Sequence, residues 1–258
     1  RESFINLNGY WDYAIYPVYM GFAGYQGQIV VPFSPECLLS GVHKTVTPAD
    51  RLYYRRVFSY HKSDKRVLLH FGAVDYECAV TLNGIRLGEH RGGYYPFTFE
   101  VTNALTDGEN ELTLTVIDPS ETGSQASGKQ TSRRGNIWYT PQSGIWQTVW
   151  LEEVPAEYIE KIKLTPDIDN GVLKARVAVN GNISDVPYTV YDGETPIASV
   201  QAGAAVEIAI PEPKLWSPEA PFLYDMEITA GEDTVCYPGS MPYLTLTADT
   251  EQAGWIIT

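Results

Sequence analysis

The 258-residue chain is short of the side chains that most catalytic and metal chemistry requires. It has three cysteines, Cys37, Cys78 and Cys236, with no CxxC pair among them. That is too few for a disulfide framework and the wrong spacing for a structural zinc site, so the thiols are expected to be buried and inert. The four histidines, His43, His61, His70 and His90, are spread without ligand spacing, and no metal or cofactor is expected. Positive charge is scarce too: 18 basic residues face 32 acidic ones, a net of -14. Such a surface repels phosphate backbones and anionic lipid, which argues against nucleic-acid and membrane partners. No apolar run approaches the roughly 18 residues that a membrane-spanning helix needs. The start, Arg1-Glu2-Ser3-Phe4, has no apolar stretch of the signal-peptide kind, so a cytoplasmic location is expected. Neither a Gly-x-Ser-x-Gly elbow nor HExxH, Walker A or GxGxxG occurs.

What is abundant is alternation. Glu111–Val116, Lys161–Thr165, Lys174–Val179, Val206–Ile210 and Tyr224–Thr229 all switch between apolar and polar at every step. Each buries one face of a strand and wets the other, as antiparallel sheets do. Asn83-Gly84, Asp107-Gly108, Asn170-Gly171 and Asp192-Gly193 supply the positive φ that tight hairpins need. No capped segment of helical period is present. The chain therefore reads as all-β, built as two sandwiches. The boundary falls where Val154-Pro155 ends one alternating series and Tyr158 opens another of about seven short strands, the size of an immunoglobulin-like sandwich. This divides the chain into residues 1–155, 156–240 and a divergent tail over 241–258.

Asp118 to Asn136 stands out as a long loop of small polar residues, with Lys129, Arg133 and Arg134 basic in an acidic protein. It reads as either a solvated connection or a binding loop. His70, inside Val67–Phe71, reads as structural. Arg55 and Arg56 must point to opposite faces of one strand. One of them is then expected to turn inward, in a buried salt bridge or as a site arginine. Trp146 is expected to fill the core, whereas Trp138, beside the loop, suits either the core or a sugar-stacking role.

Several segments in this order resemble glycoside hydrolase family 2, the β-galactosidase and β-glucuronidase group. They are Leu7-Asn8-Gly9-Tyr10-Trp11, Val31–Glu36, Tyr53–Phe58, Leu69–Tyr76, Leu82-Asn83-Gly84 and Gly88–Tyr94. The most specific is Ser143-Gly144-Ile145-Trp146-Gln147-Thr148-Val149-Trp150-Leu151-Glu152, and Leu215–Tyr224 extends the likeness into the second half. The resemblance implies a jelly-roll, galactose-binding-like sandwich followed by an immunoglobulin-like sandwich. In the family a (β/α)8 barrel carrying two catalytic glutamates comes next. No such pair is recognised in this sequence. Asn110-Glu111 matches the acid/base dipeptide in letters only, because it follows the Asp107-Gly108 turn at a strand edge.

The resemblance also implies that a jelly-roll loop touches the sugar bound at the barrel's mouth. It places that contact near Asn136, just ahead of Trp138 and Tyr139, which are the substrate-binding candidates; Arg56, from the strand alternation above, is a further one, and no catalytic residue is expected. The partners implied are a carbohydrate and the chain's own C-terminal barrel, with a homo-oligomer left open. The reading is a non-catalytic N-terminal region of a retaining glycosidase in carbohydrate metabolism, inactive by itself. The alternatives are a free-standing carbohydrate-binding module and a purely structural or oligomerisation unit.

Overall fold

A computed structural model describes residues 1, 3–242 and 255–257. The chain divides into two compact units, Ser3–Glu153 and Val154–Thr258, the latter joined by Arg1. Regular structure among the described residues is strand, with one 3-10 turn at Leu38–Ser40. Residues 243–254 and 258, most of the expected divergent tail, lie outside the described residues.

The first unit holds β1 (Ile5–Asn6), β2 (Gly9–Pro17), β3 (Gly27–Val31), β4 (Asp50–Tyr60), β5 (Arg66–Phe71), β6 (Val74–Asp75), β7 (Glu77–Leu82), β8 (Ile85–Arg91), β9 (Phe97–Glu100), β10 (Gly108–Ile117), β11 (Gly144–Ile145) and β12 (Val149–Val154). A four-stranded sheet of order β1-β12-β5-β9 stacks on a six-stranded sheet of order β3-β2-β4-β10-β7-β8, and β6 pairs with β11. This is the jelly-roll sandwich. Strand β10 shows why it forms: Leu112, Leu114 and Val116 are buried while Glu111 and Thr113 face out. Trp11 anchors the core, its indole edge-on to Tyr54 at 6.3 Å and its Nε1–H donated to the Leu7 carbonyl at 2.8 Å.

The second unit holds β13 (Tyr158–Asp167), β14 (Val172–Asn180), β15 (Val186–Asp192), β16 (Thr195–Ala202), β17 (Ala205–Ala209), β18 (Leu223–Ala230), β19 (Asp233–Pro242) and β20 (Trp255–Ile257). Two four-stranded sheets, β17-β14-β13-β20 and β16-β15-β18-β19, form the immunoglobulin-like sandwich. Its core of Ile162, Leu173, Val190, Tyr188 and Ile228 is separate from that of the jelly roll.

Several expectations are corrected by these positions. Of the cysteines only Cys78 is buried; Cys37 is half-buried and Cys236 exposed. Trp146 does not fill the core: it is half-buried and donates Nε1–H to the Gly93 carbonyl at 2.8 Å. Asp107-Gly108 does not join two paired strands, because β9 pairs with β5 in one sheet and β10 with β4 and β7 in the other. The ion-paired arginine is Arg55, on the outer face, bound to Asp12 at 2.8 Å and to Glu111. Among the described residues Arg56 has no carboxylate partner. Its Nη1 donates to the Tyr10 carbonyl at 2.5 Å, and its Nε is buried with no hydrogen-bond partner.

Candidate functional site: a rim at one end of the jelly roll

The connection from β10 to β11 is built from both ends. At its start Asp118 is buried and accepts from the Ser143 hydroxyl at 2.7 Å and the Ser120 amide at 2.6 Å. At its end the Ser143 amide donates to Glu36 at 3.1 Å, and the other oxygen of Glu36 accepts from the Val46 amide at 3.1 Å. Glu36 thus ties the 32–49 connection to the loop's exit, and a Ser34–Gln142 hydrogen bond reinforces it. Farther out, Glu121 accepts from the hydroxyl and amide of Ser132, and Gln130 bonds Tyr94 at 3.2 Å. The long polar loop, read as either a solvated connection or a binding loop, thus carries its own hydrogen-bond frame.

The frame presents a tight hairpin. The Trp138 amide donates to the Gly135 carbonyl at 3.0 Å, and the Gly135 amide returns to Trp138 at 3.3 Å. Asn136 sits at the corner with φ 54°, a left-handed conformation that asparagine tolerates better than most residues. The hairpin raises Ile137, Trp138 and Tyr139 into solvent, 61%, 46% and 68% exposed. The run Val18, Tyr19 and Met20 is similarly open elsewhere on this unit, so exposure alone does not set the hairpin apart; its hydrogen-bonded frame does. Asn136, Trp138 and Tyr139 are thus brought together. Arg56 makes no contact with this turn among the described residues.

Beneath the rim lies a group of carboxyls that the sequence reading did not single out: Glu36, Asp75 and Asp118. Burial raises all three pKa values, and hydrogen bonds to Glu36 and Asp118 oppose the rise. Asp75 has no such bond among the described residues. Burial, then the charges of Asp118 and Glu36, push it up to about 7. Its carboxylate lies against Gly93, where any side chain would collide with it. The signal was present: Asp75 directly follows the buried Ala73 and Val74, and a charge beside two buried apolar residues needs a reason. Gly144, φ 76°, lets the backbone pass beside the buried Tyr54 ring, whose hydroxyl accepts from the Ile145 amide at 3.3 Å.

The chemistry offered is recognition. An exposed indole and phenol suit the apolar face of a pyranose, and an amide at the corner can both donate to and accept from hydroxyls. Glu111 is ion-paired to Arg55 on the sheet's outer face, and Asn110 is a buried turn brace bonded to Asn83 at 2.7 Å and to the Thr106 amide at 2.8 Å. Among the described residues no three histidine, cysteine or acidic side chains converge as a metal ligand set.

Residues 43–170 match the model of the glycosyl hydrolase 2 galactose-binding-like domain, and residues 157–236 match that of glycosyl hydrolases family 2. A putative β-glucuronidase of Formosa agariphila is 29% identical over 201 residues, covering 68% of this chain and 23% of that protein. Human β-glucuronidase is 26% identical over 203 residues, covering 68% of this chain and 31% of its own length. The solved β-glucuronidase of Faecalibacterium prausnitzii superimposes with a TM-score of 0.71 at 26% identity, covering 91% of this chain and 45% of that one. The chain thus spans less than a third of the length of these two curated relatives. Two overlapping family models in the family's order, on a jelly roll followed by an immunoglobulin-like sandwich, place the chain in glycoside hydrolase family 2.

Proposed function

We propose that this chain is the non-catalytic N-terminal region of a retaining family 2 glycosidase of the β-glucuronidase or β-galactosidase kind, and that its jelly roll supplies the sugar-facing rim of an active site completed by a barrel. The observation that carries the reading is the Gly135–Trp138 hairpin. It is held from below by Glu36 and Asp118 and raises Trp138 and Tyr139 where a bound sugar can stack. Asn136 then orients hydroxyls, and the two hydrolytic carboxyl groups come from outside this chain.

The test is kinetic and uses the full-length parent enzyme. Trp138→Ala is expected to raise KM about tenfold or more on an aryl glycoside, because one stacked ring is lost, while the melting temperature holds. Unchanged kinetics in that variant would remove the rim from the active site. Arg56 is tested separately with Arg56→Lys: altered KM at constant melting temperature makes it a substrate contact, and lost stability alone makes it structural.

A further inference from the structure

The second unit concentrates its few cations on one surface. Residues 154–258 hold 5 basic and 16 acidic side chains, a net of -11. Four of the five cations, Lys161, Lys163, Lys174 and Arg176, lie on the paired strands β13 and β14. All four are exposed, alternating with the buried Ile162, Leu164, Ala175 and Val177, so they share the outer face of one sheet. Lys163 is directly opposite Arg176 in the antiparallel register. Like charges placed opposite each other destabilise a sheet. Neither side chain has an ion-pair partner among the described residues, whereas Lys174 is held by Asp167 at 2.7 Å.

The same face is hollow. Ala205 is paired with Arg176 and Glu207 with Lys174, so the short Ala205 leaves a floor between long side chains. The resulting open hollow of about 390 Å³ is lined by Lys163, Thr165, Lys174, Arg176, Ala205 and Glu207. That volume lies in the range of small-ligand sites. Cations about 7 Å apart along each strand and about 5 Å across the pair form a fixed two-dimensional array. The aliphatic stems of lysine and arginine add apolar walls.

We propose that this outer face of β13, β14 and β17 binds a carboxylated oligosaccharide, with Lys163 and Arg176 holding carboxylate groups and Thr165 and Glu207 meeting hydroxyls. Charge complementarity selects an anion here, on a unit that is otherwise acidic. The choice of a glycan over other anions rests on the carbohydrate role proposed above. The site lies on the unit that does not carry the Trp138 hairpin, so separate variants distinguish the failure of one reading from the failure of the other.

The test titrates the full chain with an oligogalacturonate of about four residues, with neutral cellotetraose and poly-L-glutamate as comparison probes, by calorimetry and by ¹H–¹⁵N spectra. The expected result is saturable oligogalacturonate binding that weakens as salt is added and perturbs amides of β13 and β14 in the unaltered protein. Lys163→Gln with Arg176→Gln is expected to weaken it about tenfold, the scale of two to three exposed charge pairs, and Trp138→Ala to leave it unchanged. Equal binding of cellotetraose overturns the charge argument, and equal binding of polyglutamate overturns the glycan assignment. Binding that survives the double variant but is lost in Trp138→Ala places the uronate at the hairpin instead, which overturns this site and supports the jelly-roll rim. No binding overturns it too.

Discussion

Asp75 shows how one side chain beneath the rim sets a pH response. Its pKa is pushed from an ordinary 3.8 to about 7, first by burial and then by the charges of Asp118 and Glu36. In the unfolded chain it ionises near 3.8, so between about pH 4 and pH 7 the folded state binds more protons than the unfolded one. Stability attributable to this group therefore falls as pH rises through that window and stays low above it. Asp75→Asn keeps the shape and removes the charge. It is expected to raise the melting temperature at pH 8 and to change it little at pH 4. A gain equal at both pH values would show that charge is not the cause. Burial raises the Glu36 pKa too, but losing this side chain has the opposite effect on stability, because it satisfies two amides. Glu36→Ala orphans the Val46 and Ser143 N–H groups and is expected to cost roughly 2–6 kcal/mol, one to three for each, read from denaturant unfolding.

At the scale of elements, the β10–β11 connection depends on Glu121. Hydrogen bonds from the Ser132 hydroxyl and amide push this exposed carboxyl down to about 2, so its ionised form holds the loop throughout the neutral range and releases it only in strong acid. Glu121→Gln is expected to speed tryptic cleavage after Arg133 and Arg134, both exposed, and cleavage at the unaltered rate would show that the loop is pinned elsewhere. Period-two alternation revealed all five strands it was applied to, and Asn83-Gly84 does join β7 to β8 through a tight turn. The Asp107-Gly108 dipeptide misled because a dipeptide reports a local dihedral and not which sheet the next strand enters. The rim was legible only in part. Trp138 and Tyr139 could be singled out beside a long polar loop, but the hydrogen bonds that shape it run from Glu36 and Ser34 to Ser143 and Gln142, across more than 100 positions. No local pattern encodes that pairing.

For the whole molecule, two cores that share no residue predict two separable responses to mutation. Leu112 and Ile228 are both fully buried, one in each. Leu112→Ala is expected to cost about 2–5 kcal/mol and to lower amide-exchange protection through β4, β7 and β10 while sparing β15 and β18. Ile228→Ala is expected to do the reverse. Loss of protection in both units from either change would contradict independent cores.

The jelly roll is closed by its own two ends. Ile5 pairs with Leu151, Asn6 with Trp150, and the Leu7 amide donates to the Val149 carbonyl. During synthesis, then, β1 is left without its partner β12 until roughly 145 further residues have emerged, on the order of 7–30 s at about 5–20 residues per second. Through that interval the inner faces of β2 and β4 await the strands that cover them, and once those arrive the long-range pairing still limits folding to milliseconds or slower. The Ser143–Leu151 stretch, where the family resemblance is strongest, is thus also the segment whose synthesis sets the earliest moment at which this sandwich can close.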